Sequence, residues 1–305
     1  MKKLLFVLML LSFAFSGCTK EEYVRYDLAI CDFGMNTVCE YMSGFESENF
    51  RVMNTEFSDE QLDIVIKALN ASNEGLESIT VYSKNVSVEY AEQFISFAKT
   101  KEIPIVFVFS AIDDDILTEY DKAFCITTNY SHAAEELALK VDKLWENNEI
   151  IDVDTNMIFS FSVIFDDIKS ENTESFYNCL TYNMELYGIP MQVKNSLTVS
   201  DLNNEEVISS LKNSNEGFIV LADELLPYYG QYAPAGEGFE LITLTEGIEN
   251  PAADYPFVIS CFIDYKDYKL ASDEILRGYR NKEFPLDSVT FPYINRTVFI
   301  PAHIN

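Results

Sequence analysis

Short apolar runs alternate with amphipathic stretches along most of this chain. The runs fall at 25–31, 51–54, 78–82, 104–109, 123–127, 157–164, 191–194, 217–221, 239–244, 257–262 and 296–300. Most are near-continuous in Val, Ile, Leu and Phe, which is how strands buried on both faces of a parallel sheet read. Between them, helical spacing predicts helices over 58–71, 88–100, 132–145, 172–187, 201–213 and 267–280. The first opens on Ser58-Asp-Glu-Gln61, a capping box that satisfies orphan backbone donors at a helix start. In 132–145, Ala133, Leu137, Leu139, Val141 and Leu144 recur at roughly helical spacing, with Glu135, Glu136, Lys140 and Lys143 elsewhere. This βαβα order predicts an α/β fold of parallel, doubly wound sheets with right-handed crossovers. Eleven strands exceed one comfortable sheet, so two sheets are expected.

The first residues follow a different rule. Met1-Lys2-Lys3 precedes an apolar run to Phe15, then Ser16-Gly17-Cys18. A positive start, a short apolar stretch and small residues before a cut define an export signal, here 1–17. The run is shorter than the ~20 residues a spanning helix needs. The Cys directly after Ser-Gly resembles the bacterial lipobox, which implies lipidation of Cys18 and an anchor in the outer face of the cytoplasmic membrane. No other segment is long and apolar enough to span a bilayer.

Composition then narrows the classes. Hydrophobic content of 48% with 14% aromatics supplies an ample core. The net charge of −29 argues against nucleic acid as a partner, because a phosphate backbone demands a basic face. After Cys18 the cysteines are Cys31, Cys39, Cys125, Cys179 and Cys261, an odd number, several of them in apolar runs. Buried free thiols are expected rather than a disulfide framework. With His132 and His303 as the only histidines, a zinc site has few ligands to draw on. No Gly-x-Ser-x-Gly, phosphate-binding Gly-rich loop or His-Glu-x-x-His occurs, and no enzyme is expected. The run Asp113-Asp-Asp115 is expected in a surface loop, and Tyr228-Tyr-Gly-Gln-Tyr232 in the core or, alternatively, as aromatic surface toward a cleft or a permease.

At Glu102-Ile-Pro-Ile-Val-Phe107 and Tyr120-Asp-Lys-Ala-Phe-Cys-Ile-Thr-Thr-Asn129 the chain resembles the galactose/glucose-binding proteins of bacterial ABC transporters, in the class I periplasmic binding protein fold. The likeness continues through 157–164, 217–222, Lys266-Asp-Tyr-Lys-Leu-Ala-Ser272 and Asn295-Arg-Thr-Val-Phe-Ile-Pro301. It implies two lobes, each a doubly wound parallel sheet, joined by three crossings with ligand enclosed between them. The first lobe would comprise about 24–127 plus 260–290, the second about 128–259 plus 291–305. Ligands of open α/β sheets bind beyond the carboxyl ends of the strands, and closure would be a hinge movement.

The resemblance also implies site residues, by position. After the first strand come Asp32 and Phe33, adjacent where the family spaces its Asp and stacking Phe. After the run at 104–109 the family's Asn falls on Phe109, with Ser110 next. After 157–164 fall Asp167, Lys169 and Thr173. The stacking Trp falls near Val199. Further contacts fall on Asp223, Thr245 and, around 262–264, Asp264. Few match by identity, so the carrier fold is kept and the galactose constellation is not. Carboxylates at Asp32, Asp167, Asp223, Glu224 and Asp264 would suit a cationic or heavily hydroxylated ligand.

Members of this family often carry a calcium loop after the first helix of the second lobe. At that place Asp152, Asp154 and Asn156 occupy ligand positions one, three and five, the Ile158 carbonyl seven and Ser160 nine, with Glu216 as the remote ligand. Position six, normally Gly for a left-handed turn, is Met157. The expected function is that of a solute-binding lipoprotein delivering a small sugar-like ligand to an ABC permease. The alternative is a diverged, non-transporting relative acting as a sensor or interaction lipoprotein.

Overall fold

The structure, a computed structural model, describes residues 25–32, 35–43, 50–71, 74–150, 157–167, 170–213, 217–222, 241–247, 249–250, 258–282 and 290–304. The first sheet is built from β1 (Tyr26–Asp32), β2 (Phe50–Thr55), β3 (Leu76–Tyr82), β4 (Ile105–Val108) and β5 (Ala123–Thr128). The second is built from β6 (Phe159–Phe165), β7 (Met191–Thr198), β8 (Gly217–Leu221), β9 (Leu241–Gly247) and β10 (Val258–Asp264). Three short strands follow: β11 (Tyr293–Ile294), β12 (Thr297–Ile300) and β13 (His303–Ile304).

Strand order in the first sheet is β11-β12-β5-β4-β3-β1-β2, and in the second β13-β10-β9-β8-β6-β7. All pairs are parallel except β11 with β12 and β13 with β10. Each half therefore repeats one doubly wound order, with the first strand of the half inside and the second at an edge. The order reverses between β1 and β3, and again between β6 and β8, so each sheet has a switch point where the following loops part.

The strands stay parallel because both faces are covered. In β1, Tyr26, Leu28 and Ile30 join one core while Ala29 and Cys31 join another. This is the period of two that sends alternate side chains to opposite faces. On the first face lie α2 (Asp59–Ala71), contributing Val65 and Leu69, and α3 (Val88–Lys101), contributing Phe94 and Ala98. The opposite face carries α1 (Asn36–Ser43), with Cys39 and Met42, and α8 (Tyr265–Asn281), with Tyr268 and Ile275. In the second sheet, Phe161 and Val163 meet α5 (Tyr130–Glu146) and α6 (Glu171–Leu186). Ile164, Phe218 and Val220 meet Leu211 of α7 (Glu205–Lys212) on the other face. A short helix α4 (Asp114–Thr118) precedes β5.

Three connections pass between the lobes. β5 of the first sheet leads into α5, which packs on β10 and β13. β10 of the second leads into α8, which packs on β4, β5 and β12. Finally β12 leads to β13 across Pro301-Ala302. The expected assignment of 260–290 to the first lobe and 291–305 to the second shifts accordingly. β10 belongs to the second sheet up to Asp264, while β11 and β12 sit in the first, beside β5. Only β13 of the terminal segment returns to the second sheet.

Other expectations also change. Cys31 and Cys39 form a disulfide, because the chain turns back from the end of β1 into α1 and brings their Cα atoms to 6.4 Å. Cys125, Cys179 and Cys261 are free. Asp113-Asp-Asp115 is the start of α4 and not a loop, with Asp114 accepting from Asn295 Nδ2 at 2.8 Å. The expected helix 201–213 breaks at Asn204. A 3₁₀ turn spans Val199–Asn203, and the Asn204 side chain then accepts from the Glu206 N–H to start α7. The segment Tyr228–Tyr232 lies outside the described residues, as do 1–17 and Cys18. No helix among the described residues is long and apolar enough to cross a membrane.

Candidate functional site

Between the lobes, at the carboxyl ends of the strands, lies a cleft of about 400 Å³. That is the size of a small-molecule pocket. Lys84 and Asn85 reach it from the first lobe, immediately after β3. Asp166, Glu171 and Asn172 reach it from the β6–α6 connection, and Glu246 from the end of β9.

Glu246 is its centre. Its side chain is 9% exposed, and Oε2 meets the Lys84 ammonium at 2.6 Å in an ion pair that spans the two lobes. The Tyr130 hydroxyl donates to Oε1, and the Tyr265 hydroxyl lies 3.5 Å from Oε2. Tyr130 and Tyr265 are the first residues of α5 and α8, so the two inter-lobe helices bring both hydroxyls to the Glu246 carboxylate. Burial, with the Glu246 charge adding to it, pushes the Tyr130 hydroxyl pKa well up. It therefore stays a proton donor to the carboxylate at any ordinary pH.

An aromatic layer supports this floor. Phe109 sits at φ 78, a left-handed conformation costly for a residue with a Cβ. Its ring packs against Tyr268 at 4.5 Å, Tyr265 at 5.1 Å and Tyr82 at 6.4 Å between centroids. Tyr268 hydrogen-bonds Thr128 at 2.9 Å. Next to Tyr268 on α8, the buried Lys269 ammonium donates to the Met42 carbonyl at 3.0 Å and the Tyr41 carbonyl at 3.3 Å. It thereby satisfies carbonyls that the last turn of α1 leaves open.

The residues expected to touch ligand are found elsewhere. Asp32 ends β1 and accepts from the Ser83 hydroxyl at 2.9 Å, holding the loop that carries Lys84. Phe109 is enclosed as described. Ser110 is buried, its hydroxyl donating to the Ser83 carbonyl. Asp167 is exposed and bound to Ser200, through N–H at 2.8 Å and the hydroxyl at 2.6 Å, and these bonds hold its carboxyl pKa below the ordinary value. Thr245 is buried, with Oγ1 lacking a partner among the described residues. Asp264 accepts from the Lys266 N–H at 2.8 Å and caps α8. None of these six lines the cleft. Thr173 does, its hydroxyl bonded to Ser170 at 2.7 Å, while Val199 opens the 3₁₀ turn. Phe33, Lys169, Asp223 and Glu224 lie outside the described residues.

The misses have a simple origin. Alternate residues of a strand face opposite ways, so a shift of one in alignment exchanges Thr245 for Glu246. Lys84, Asn85 and Asp166 had a signal too, since each stands within three residues of the end of a strand. Tyr130 stands next to Asn129, the last residue of the quoted motif.

Of the expected calcium ligands, Asp152, Asp154, Asn156 and Glu216 lie outside the described residues. Ile158 precedes β6. Ser160 lies on β6, its buried hydroxyl lacking a partner among the described residues. Met157 adopts φ 62. That is the left-handed turn which such a loop requires at position six.

No family model matches the chain, and no curated protein does. Solved structures do. GanP, a glucose-galactose binding protein from Geobacillus stearothermophilus, superposes with a TM-score of 0.56 over 92% of this chain and 97% of that one, at 7% identity. An ABC transporter periplasmic solute binding protein from Actinobacillus succinogenes with bound D-allose gives 0.60 over 92% and 97%, at 12% identity. A Burkholderia graminis ABC transporter solute binding protein in complex with D-arabinose gives 0.59 over 93% and 96%, at 10% identity. The chain has the class I periplasmic binding protein fold. At these identities the likeness speaks for the fold alone. The cleft centred on Glu246 lies between the two lobes of that fold.

Proposed function

We propose that this protein is a solute-binding lipoprotein of an ABC importer that captures a small, sugar-like ligand between its lobes. The observation that carries the reading is the interlobe cleft. It is lined from both halves by polar groups, and it lies where the switch points of the two sheets place their loops. Amide and carboxylate groups such as Asn85, Asn172 and Asp166 suit paired hydrogen bonds to adjacent hydroxyls. The Lys-Lys start, the apolar run and Cys18 support export and a lipid anchor. The Cys31–Cys39 disulfide supports folding in an oxidising compartment.

Thermal denaturation in the presence of a panel of monosaccharides tests this reading. A ligand at about 100 times its dissociation constant should stabilise the chain by ~2.7 kcal/mol, a rise in Tm of roughly 4–5 °C for a chain of this size. No shift with any neutral or charged sugar sinks it. That silence would favour a sensor or interaction lipoprotein, a reading supported by the burial of Phe109 and Ser110 away from the cleft.

The same reading includes calcium at 152–160 with Glu216, supported by the left-handed Met157. Added calcium should raise Tm by several degrees and EDTA should reverse the rise, while magnesium at equal concentration should do less. Equal effects of the two ions would mark screening of a very acidic chain and rule the loop out.

A further inference from the structure

We propose that the ligand carries a protonated amine together with its hydroxyls, and that the amine takes the place of Lys84 on Glu246; this rests on the solute-binding reading above. The Glu246 carboxylate is a nearly enclosed acceptor that already holds an ammonium at 2.6 Å. The two sides of that pair are not alike. Glu246 is fixed by a β-strand and by the hydroxyls of Tyr130 and Tyr265, which the first turns of α5 and α8 position. Lys84 stands in a loop after β3, its side chain 39% exposed, on a stem long enough to swing into solvent.

Lys84 thus occupies the cleft as an internal stand-in for a ligand's cation. Once it withdraws, Glu246 is left with two hydroxyl partners and an uncompensated charge. An enclosed carboxylate in that state is costly, and a charged donor offsets the cost better than a neutral hydroxyl. The surroundings favour the same sign. Among the described lining residues, Asp166, Glu171 and Glu246 face a single cationic side chain, Lys84. Asn172 and Asn85, one on each lobe, are left to hold a polyhydroxylated body when the lobes close on it.

Calorimetric titration of the full chain with glucosamine, N-acetylglucosamine and glucose separates the possibilities, since the three differ in charge on one ring. Glucosamine should bind about tenfold or more tightly than the other two, the usual margin for a charged hydrogen bond over a neutral one. Lys84→Met should tighten glucosamine several-fold by removing its competitor. Glu246→Gln, close in shape, should erase the preference while keeping residual binding of all three, with circular dichroism confirming that both variants fold. Equal affinity for the three sugars overturns the proposal and leaves the solute-binding reading standing. A preference that persists in Glu246→Gln, or weaker glucosamine binding in Lys84→Met, also overturns it. Absence of binding by all three overturns it as well, and the wider sugar panel then decides whether the solute-binding reading falls with it.

Discussion

Several phenols and thiols in this molecule are locked in their protonated forms by burial. The hydroxyls of Tyr82, Tyr130 and Tyr268 are pushed well up, desolvation being the largest cause in each. The Cys125 thiol is pushed up to about 12, and Cys261 is raised by the same effect. Each of these groups releases its proton more readily from the unfolded chain, where pKa values return to about 8.5 for Cys and about 10 for Tyr. The stability tied to their burial is therefore fully present below those values and lost as pH rises through them toward the folded ones. The urea midpoint followed by circular dichroism should be nearly flat from pH 6 to 8 and fall steeply between pH 9 and 11. A midpoint that holds to pH 11 would contradict the burial of these side chains. Asp167 has the opposite sign, its pKa lowered by Ser200, but its carboxylate is fully exposed and contributes little to acid lability.

At the scale of elements, what the sequence announced and what it withheld follow from length and burial. β1, β3, β4, β5, β6 and β8 are near-continuous apolar runs because both faces are covered, and such runs are hard to miss. β7 is different. Most of its residues are exposed, so its later half, Asn195–Thr198, carries Leu197 as its one apolar residue and takes its form from pairing with β6. α1 and α4 are too short to show a helical period and exist by packing on what precedes them. Arg280 of α8 pairs with the buried Asp27 of β1, which also accepts from Ser78. That pair ties a late helix to the first strand across most of the chain, and no local pattern announces it. The candidate site was legible at the level of loops. The cleft lies after the strand ends, as the doubly wound order requires, and Asp32 and Asp264 close their strands while Ser110 follows β4 by two residues. Which side chain turns inward depends on register. Register at β9 placed Glu246 at the cleft and Thr245 in the wall.

The whole molecule carries a net charge of −29, distributed over two lobes that face each other across a polar cleft. Self-repulsion opposes both folding and closure, while a small set of ion pairs opposes it. Of these, Arg25–Glu77 is largely exposed and contributes little. Lys84–Glu246 and Arg280–Asp27 each have one enclosed carboxylate, and salt screens enclosed pairs far less than exposed charges. Raising sodium chloride from ~10 to ~150 mM shortens the Debye length from about 30 to about 8 Å. That removes repulsion between distant carboxylates while leaving the two enclosed pairs nearly intact. Tm should therefore rise by a few degrees over this range, measured at constant pH in the absence of divalent ions. A fall would mean that attraction among close pairs outweighs repulsion among the many unpaired acids. The cross-lobe pair would then have to be far more open to solvent than its 2.6 Å geometry on a 9% exposed carboxylate describes.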